Sequence, residues 1–162
     1  MIFRASNGAE IIESTDISAV EARERYADLC NALVVVRLDD DYLLGYHEFR
    51  GDWETFGGLI EPGETIDECI ARECEEELGL SGVEFEYLGV LHYSMPPDPW
   101  IPEWHEEHGG LFGLRITRDM LAEIEQKRHD RAEIGRIGLY SELKASGEKI
   151  DELNERLLRF FE

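Results

Sequence analysis

Apolar positions recur most regularly at residues 66–78, where Ile66, Cys69, Ile70, Cys74 and Leu78 keep the spacing of one helical face. Thr65 stands just before them and Glu68 three residues later, the reciprocal pairing of a capping box, so the pattern predicts a helix starting at about Ile66. Gly79 predicts its end, because glycine readily takes the left-handed conformation that closes a helix. Upstream, ALVVVRL at residues 32–38 is a continuous β-branched run and reads as an interior strand. Asp39, Asp40 and Asp41 supply turn chemistry that folds it onto a second strand at 42–48, and Gly51 with Asp52 turns the chain again into 53–56. Downstream, residues 83–94 alternate as one strand or two short ones, 111–117 and 134–140 read as strands, and 119–127 as a helix. A stripe of Ile150, Leu153, Leu157, Leu158 and Phe161 predicts a closing helix over 150–161 that packs on the core. The first 31 residues give a strand at 9–13 and a loosely patterned helical run at 17–30. Residues 95–110, MPPDPWIPEWHEEHGG, break the periodicity and read as a long ordered loop, a kind of segment that often carries function in a compact domain.

Alternating strands and helices around one sheet define an α/β class. With 162 residues, 43% of them hydrophobic, the chain can bury one sizeable core, and residues 1–162 read as a single domain without repeats or linkers. The balance of 37 acidic against 16 basic residues, a formal net charge of −21, works against long-range attraction to polyanions, so long nucleic acids and anionic membranes are poor partners. No apolar run is long enough for a signal segment or a membrane span. Cys30, Cys69 and Cys74 are odd in number and lack zinc-site spacing, which suits reduced thiols in a cytoplasmic protein.

The acid on the predicted 66–78 helix changes the picture most. Glu73 and Glu77 fall inside its apolar arc and Glu76 lies at the edge. Like charges three and four residues apart cost a helix a few tenths of a kcal/mol per pair, and burying them unpartnered costs far more. A solvated acidic face is the plainer account of such a run. The inward placement instead favours a divalent cation held by clustered oxygens, with Mg²⁺ the first choice and Mn²⁺ the other. Asp39, Asp40 and Asp41 lack the alternating ligand spacing of a calcium loop and are explained by the turn.

Gly58, five residues, Glu64, seven residues, Arg72 and Glu73, an apolar Cys74, one residue, Glu76 and Glu77, one residue, Gly79 and Leu80: this arrangement over residues 58–80 resembles the Nudix box of the Nudix hydrolases. Chance would produce it on the order of once in 10⁸ windows. Two positions depart from the usual pattern, Cys74 where the box has an aliphatic residue and Phe56 before Gly57 and Gly58 where it often has proline. Cysteine packs as a small hydrophobe.

The resemblance implies an α/β/α sandwich whose mixed central sheet carries the box helix, and cleavage of a nucleoside diphosphate linked to another moiety. It implies Glu73, Glu76, Glu77 and the Gly57 carbonyl as metal ligands, and an Arg72–Glu64 ion pair bracing loop against helix. Pyrophosphate oxygens repel a nucleophile, so the reaction needs cations and a base for the attacking water. That base is Glu76 or a carboxylate from a distant segment, for which the resemblance indicates Glu133 before the 134–140 strand, with Glu103, Glu106 and Glu107 in reserve. Trp100 and Trp104 on the proline-rich segment offer stacking faces for a nucleobase, or else pack that segment onto the sheet. The expected partner is a small nucleotide, first a nucleoside triphosphate, oxidised forms included, with ADP-ribose-type nucleotide sugars next. A ligand-sensing module without turnover is the competing class, and a homodimer is left open.

Overall fold

The computed structural model describes residues 1–129 and 131–162. The interior strand predicted from ALVVVRL is β3 (Leu29–Leu38), and its continuous apolar run follows from burial on both faces. Val34 and Val36 point into one core and Val35 into the other, the alternation of a pleated strand. Asp39, with φ of 52°, turns β3 into β4 (Asp41–His47) through a tight hairpin that pairs Leu38 with Asp41. The chain then makes β5 (Asp52–Glu54), bonded to β4, and β6 (Phe56–Leu59), bonded to β3.

The predicted helix is α2 (Ile66–Leu78), following the N-terminal hairpin β1 (Phe3–Arg4) and β2 (Glu10–Thr15) and a short α1 (Ala19–Arg25). Both halves of its capping box form, and Gly79 closes it in the left-handed region. Its apolar stripe is wholly buried: Ile66, Cys69, Ile70, Cys74 and Leu78 pack on Val34, Phe56 and Phe112. Each large aliphatic side chain buried there contributes about 1.5–3 kcal/mol.

Beyond α2 come β7 (Glu86–Met95), β8 (His105–Ile116), α3 (Arg118–Lys127), β9 (Ile134–Leu139), α4 (Tyr140–Ala145) and α5 (Glu152–Leu157). The sheet runs β1-β2-β7-β8-β3-β4-β5, with β6 on β3 and β9 on β4, and β3–β8 is a parallel pair. It is a mixed sheet with the box helix on one face. On the other, Trp53, Leu91, Tyr93 and Leu111 meet Leu143, Leu153, Leu157 and Phe161 from α4, α5 and the chain end. Among the described residues no helix is long and apolar enough to cross a membrane, and all three cysteines are free.

Several boundaries differ from the sequence reading. The helical run at 17–30 is helical only through Arg25, because the chain must extend at Leu29 to enter β3. The supposed loop at 95–110 is loop only over 96–104, since His105 to Gly110 pair with β7 and keep polar side chains on a main-chain ladder. The prolines lie in the irregular part, where no donor is needed. Strand β9 stops at Leu139, and α4 was not foreseen. Helix α5 starts later than the apolar stripe suggested: Ile150 bridges Trp53, and Asp151 caps the helix by accepting from the Asn154 N–H at 2.9 Å. A 3-10 turn, Leu158–Phe160, completes the stripe.

Candidate active site

Strand β6 and helix α2 meet at the box loop, and two glycines permit their closeness. A Cβ on Gly57 would overlap the Ala32 carbonyl, and the residue has φ of 133°. A Cβ on Gly58 would overlap the Glu73 carboxylate. Only a bare backbone lets the strand approach both β3 and the glutamates.

The capped helix sets the directions of its acids. Glu77 is 5% exposed, the Glu73 side chain 13% and the Glu76 side chain 41%, so two carboxylates turn inward and the third lies at the rim. The Gly57 N–H donates to Glu77 Oε1 at 3.3 Å, while Oε2 has no partner among the described residues. Burial, then the neighbouring Glu73 charge, pushes the Glu77 carboxyl well above the usual carboxylate range. Burial raises Glu73 as well, against the pull of Arg72.

Arg72 is the counter-cation of the cluster. It donates to Glu64 Oε2 at 2.7 Å and Oε1 at 3.0 Å, to the Leu59 carbonyl at 3.0 Å, to Glu73 Oε1 at 2.9 Å and to Glu76 Oε2 at 3.4 Å. Among the described residues no three His, Cys, Asp or Glu side chains already converge in metal-ligand geometry, and Arg72 Nη1 bridges Glu73 and Glu76. The donor set nevertheless fits a divalent cation. It consists of hard carboxylate oxygens, and an unpartnered buried one belongs to a side chain too costly to leave charged alone.

Glu133 precedes β9, where its main chain accepts from the Glu48 N–H at 2.8 Å. Its carboxylate lies 3.1 Å from His47 Nε2, and its charge is near enough to help raise Glu77. Glu133 thus sits at the His47 ring, within electrostatic reach of Glu77. Glu106 and Glu107 instead engage His92 and His105 on the β7–β8 hairpin and Asn31 on β3. The main chain of Glu103 meets His105 Nδ1.

Trp100 and Trp104 are not core: Trp100 is 66% exposed and Trp104 55%. The Arg50 guanidinium lies 5.9 Å from the Trp100 ring, tying the 96–104 loop to the turn after β4. Trp104 instead lies over Gly8 of the N-terminal hairpin. The two rings are thus anchored to different parts of the fold.

Sequence reasoning missed His47, Arg50, Asp52 and Glu54. His47 is buried, Arg50 Nη1 donates to Glu54 at 2.7 Å, and Asp52 and Glu54 are buried beside each other. Burial pushes Glu54 up to about 8, opposed by Arg50 and aided by a hydrogen bond with Asp52. The available signal was the charged alternation in HEFRGDWET, where a half-buried strand should place apolar residues.

A family model described as NUDIX domain matches residues 29–156. The chain is also 35% identical over 66 residues to an NAD-capped RNA hydrolase NudC of Photobacterium profundum, a match covering 40% of this chain and 25% of that protein. A second NudC, from Vibrio vulnificus, is 30% identical over 80 residues, 48% of this chain and 31% of its own. The chain thus spans about a quarter to a third of the curated relatives it matches. Among solved structures, the Bacillus subtilis pyrophosphohydrolase BsRppH superposes with a TM-score of 0.62 at 19% identity, over 98% of this chain and 93% of that one. The NUDIX domain of Shewanella oneidensis NrtR, complexed with ADP ribose, gives 0.60 at 15% identity, over 89% and 96%. The fold is theirs, and the family match with the intact box places the chain in the Nudix hydrolase family. Nudix enzymes generally use divalent metal ions.

Proposed function

We propose that the protein is a Mg²⁺-dependent pyrophosphohydrolase that splits a nucleoside diphosphate derivative, first of all a nucleoside triphosphate, into a nucleoside monophosphate and the phosphorylated remainder. The observation that carries this reading is the buried Glu73–Glu77 pair against the Gly57–Gly58 backbone, with one Glu77 oxygen unpartnered. Glu73, Glu76, Glu77 and the Gly57 carbonyl would hold the ion. A bound divalent cation neutralises phosphate oxygens and makes water a better nucleophile. Arg72, anchored by Glu64, keeps loop and helix in register and holds Glu73 where an ion would be bound. Glu133 takes the proton of the attacking water as the new P–O bond forms and the anhydride P–O bond breaks, and Glu76 is the other candidate for that proton. Trp100 supplies a face for the base.

The formal charge of −21 disfavours holding a long RNA chain, which supports a small nucleotide over the capped RNA named for the NudC relatives. A panel of nucleoside triphosphates, oxidised triphosphates, ADP-ribose and capped RNA, assayed with Mg²⁺ and Mn²⁺, tests this choice. Glu76→Gln and Glu77→Gln should stay folded and lose turnover by at least ~10²-fold, the scale of removing a positioned catalytic group. Full activity in excess chelator, or binding of nucleotides without any turnover, would overturn the proposal, the latter in favour of a ligand sensor.

A further inference from the structure

We propose that His47 is a positioning residue that holds the Glu133 carboxylate in one orientation for its work on water. The inference rests on the proposed role of Glu133 as base. Between β4 and β9 the register slips by one residue: Tyr46 faces Arg136, but His47 faces Ile134, and Gly135 is passed over. The slip carries Glu133 alongside the buried His47 ring. The main chain there is held on both sides, by the Glu48 N–H on the Glu133 carbonyl and by Arg128, which donates to the Ile134 and Gly135 carbonyls at 2.8 Å each.

The tautomer of His47 follows from its partners. The Arg50 main-chain N–H donates to Nδ1 at 3.1 Å, and a nitrogen that accepts a hydrogen bond carries no proton. The ring proton is therefore on Nε2, which donates to Glu133 Oε1 at 3.1 Å. Phe49 packs edge-on to the ring at 5.9 Å. One Glu133 oxygen is thus tied by a fixed donor, and Oε2 is left to accept a proton. The arrangement is that of a base oriented by a third group, in which a misplacement of about 1 Å costs on the order of 10²-fold in rate.

Two substitutions separate the two bonds of the ring. In His47→Asn, Oδ1 can still accept from the Arg50 N–H, but no donor reaches Glu133. In His47→Gln, the longer amide can still donate to Glu133. The expected result is that His47→Asn lowers kcat roughly 10- to 100-fold, the range for losing a partner that orients a functional side chain, with KM and Tm near wild type. His47→Gln should recover most of that loss. In a Glu133→Gln background, His47→Asn should cost nothing more, because no carboxylate remains to orient. Wild-type kcat in His47→Asn, beside an impaired Glu133→Gln, would sink the role of His47 and leave Glu133 as base. Independent, multiplying losses would also overturn it. Wild-type kcat in Glu133→Gln would instead remove the base reading itself. Should His47→Asn fail to fold, His47→Gln carries the comparison: retained kcat at wild-type Tm supports the proposal, and a 10-fold loss overturns it.

Discussion

Arg72 holds Glu64 through two parallel hydrogen bonds, Nε to Oε2 at 2.7 Å and Nη2 to Oε1 at 3.0 Å. Both side chains are largely buried, with the Glu64 side chain 11% exposed and that of Arg72 23%. Paired guanidinium bonds hold the Glu64 carboxyl down at about 2, against an unfolded value of about 4.3. A depressed carboxylate stabilises the fold above its unfolded pKa, and that contribution is lost as pH falls toward 2. Glu64→Gln should therefore lower stability by about 2 kcal/mol at neutral pH, roughly 4–8 °C in Tm for a chain of this size. Thermal melts from pH 7 to pH 3 check the sign: the gap between variant and wild type should narrow with acid, and a constant gap would mean that the pair contributes only shape.

Glu77 and Glu73 give a prediction about metal. Burial raises both carboxyls, Glu77 the more strongly, so a cation competes with protons for this site. Mg²⁺ titrated into the protein near neutral pH should release protons, measurable by calorimetry in buffers of different ionisation heat, and affinity should weaken as pH falls. Glu77→Gln should release fewer. Metal binding that is indifferent to pH and to this substitution would place the ion elsewhere.

The site was legible in the sequence to the extent that one element builds it. The α2 capping box, the closing Gly79 and the buried Glu77 follow from local spacing, because a helix fixes side-chain direction by angle alone, whereas the Arg72–Glu64 pair was implied only by the resemblance to the Nudix box. His47 is different. Its meeting with Glu133 depends on a one-residue register slip between two strands 86 residues apart at that contact, which no periodicity encodes. The 96–104 loop was over-extended for a related reason: His105, Glu106 and Glu107 look like loop residues, yet their main chain completes a ladder whose partner lies on β7. Polar side chains conceal a strand whose register is set by a partner strand rather than by its own pattern.

Glu54 should make stability fall as pH rises. Burial lifts its carboxyl to about 8, and the hydrogen bond with Asp52 adds to the shift while Arg50 opposes it. The unfolded chain releases this proton near pH 4.3 and the folded chain near 8, so between those values the native state binds more protons and stability declines with pH. Glu54→Gln removes the titration. Its Tm relative to wild type should rise steadily from pH 5 to pH 8, with circular dichroism melts as the measure. A variant that loses ground over the same window would mean that the Arg50 contact dominates and that Glu54 is ionised in the fold.

Trp100 separates recognition from packing more cleanly than Trp104. It is 66% exposed, and the Arg50 guanidinium lies 5.9 Å from its ring, beside the turn that holds His47. Removing so exposed a ring should change stability by no more than about 0.5 kcal/mol. If the ring stacks on a base, Trp100→Ala forfeits ~1–3 kcal/mol of binding, or roughly a 5- to 150-fold rise in KM, with kcat little changed. The ranking among nucleotides should flatten as well, because stacking strength differs between bases. Trp104→Ala serves as the contrast: that ring lies over Gly8, so its loss should loosen the N-terminal hairpin and show in hydrogen exchange at β1 and β2 before it shows in KM. Unchanged KM and unchanged ranking in Trp100→Ala would remove the loop from substrate choice and return that task to groups nearer the box, with Arg50 and Glu54 the next to test.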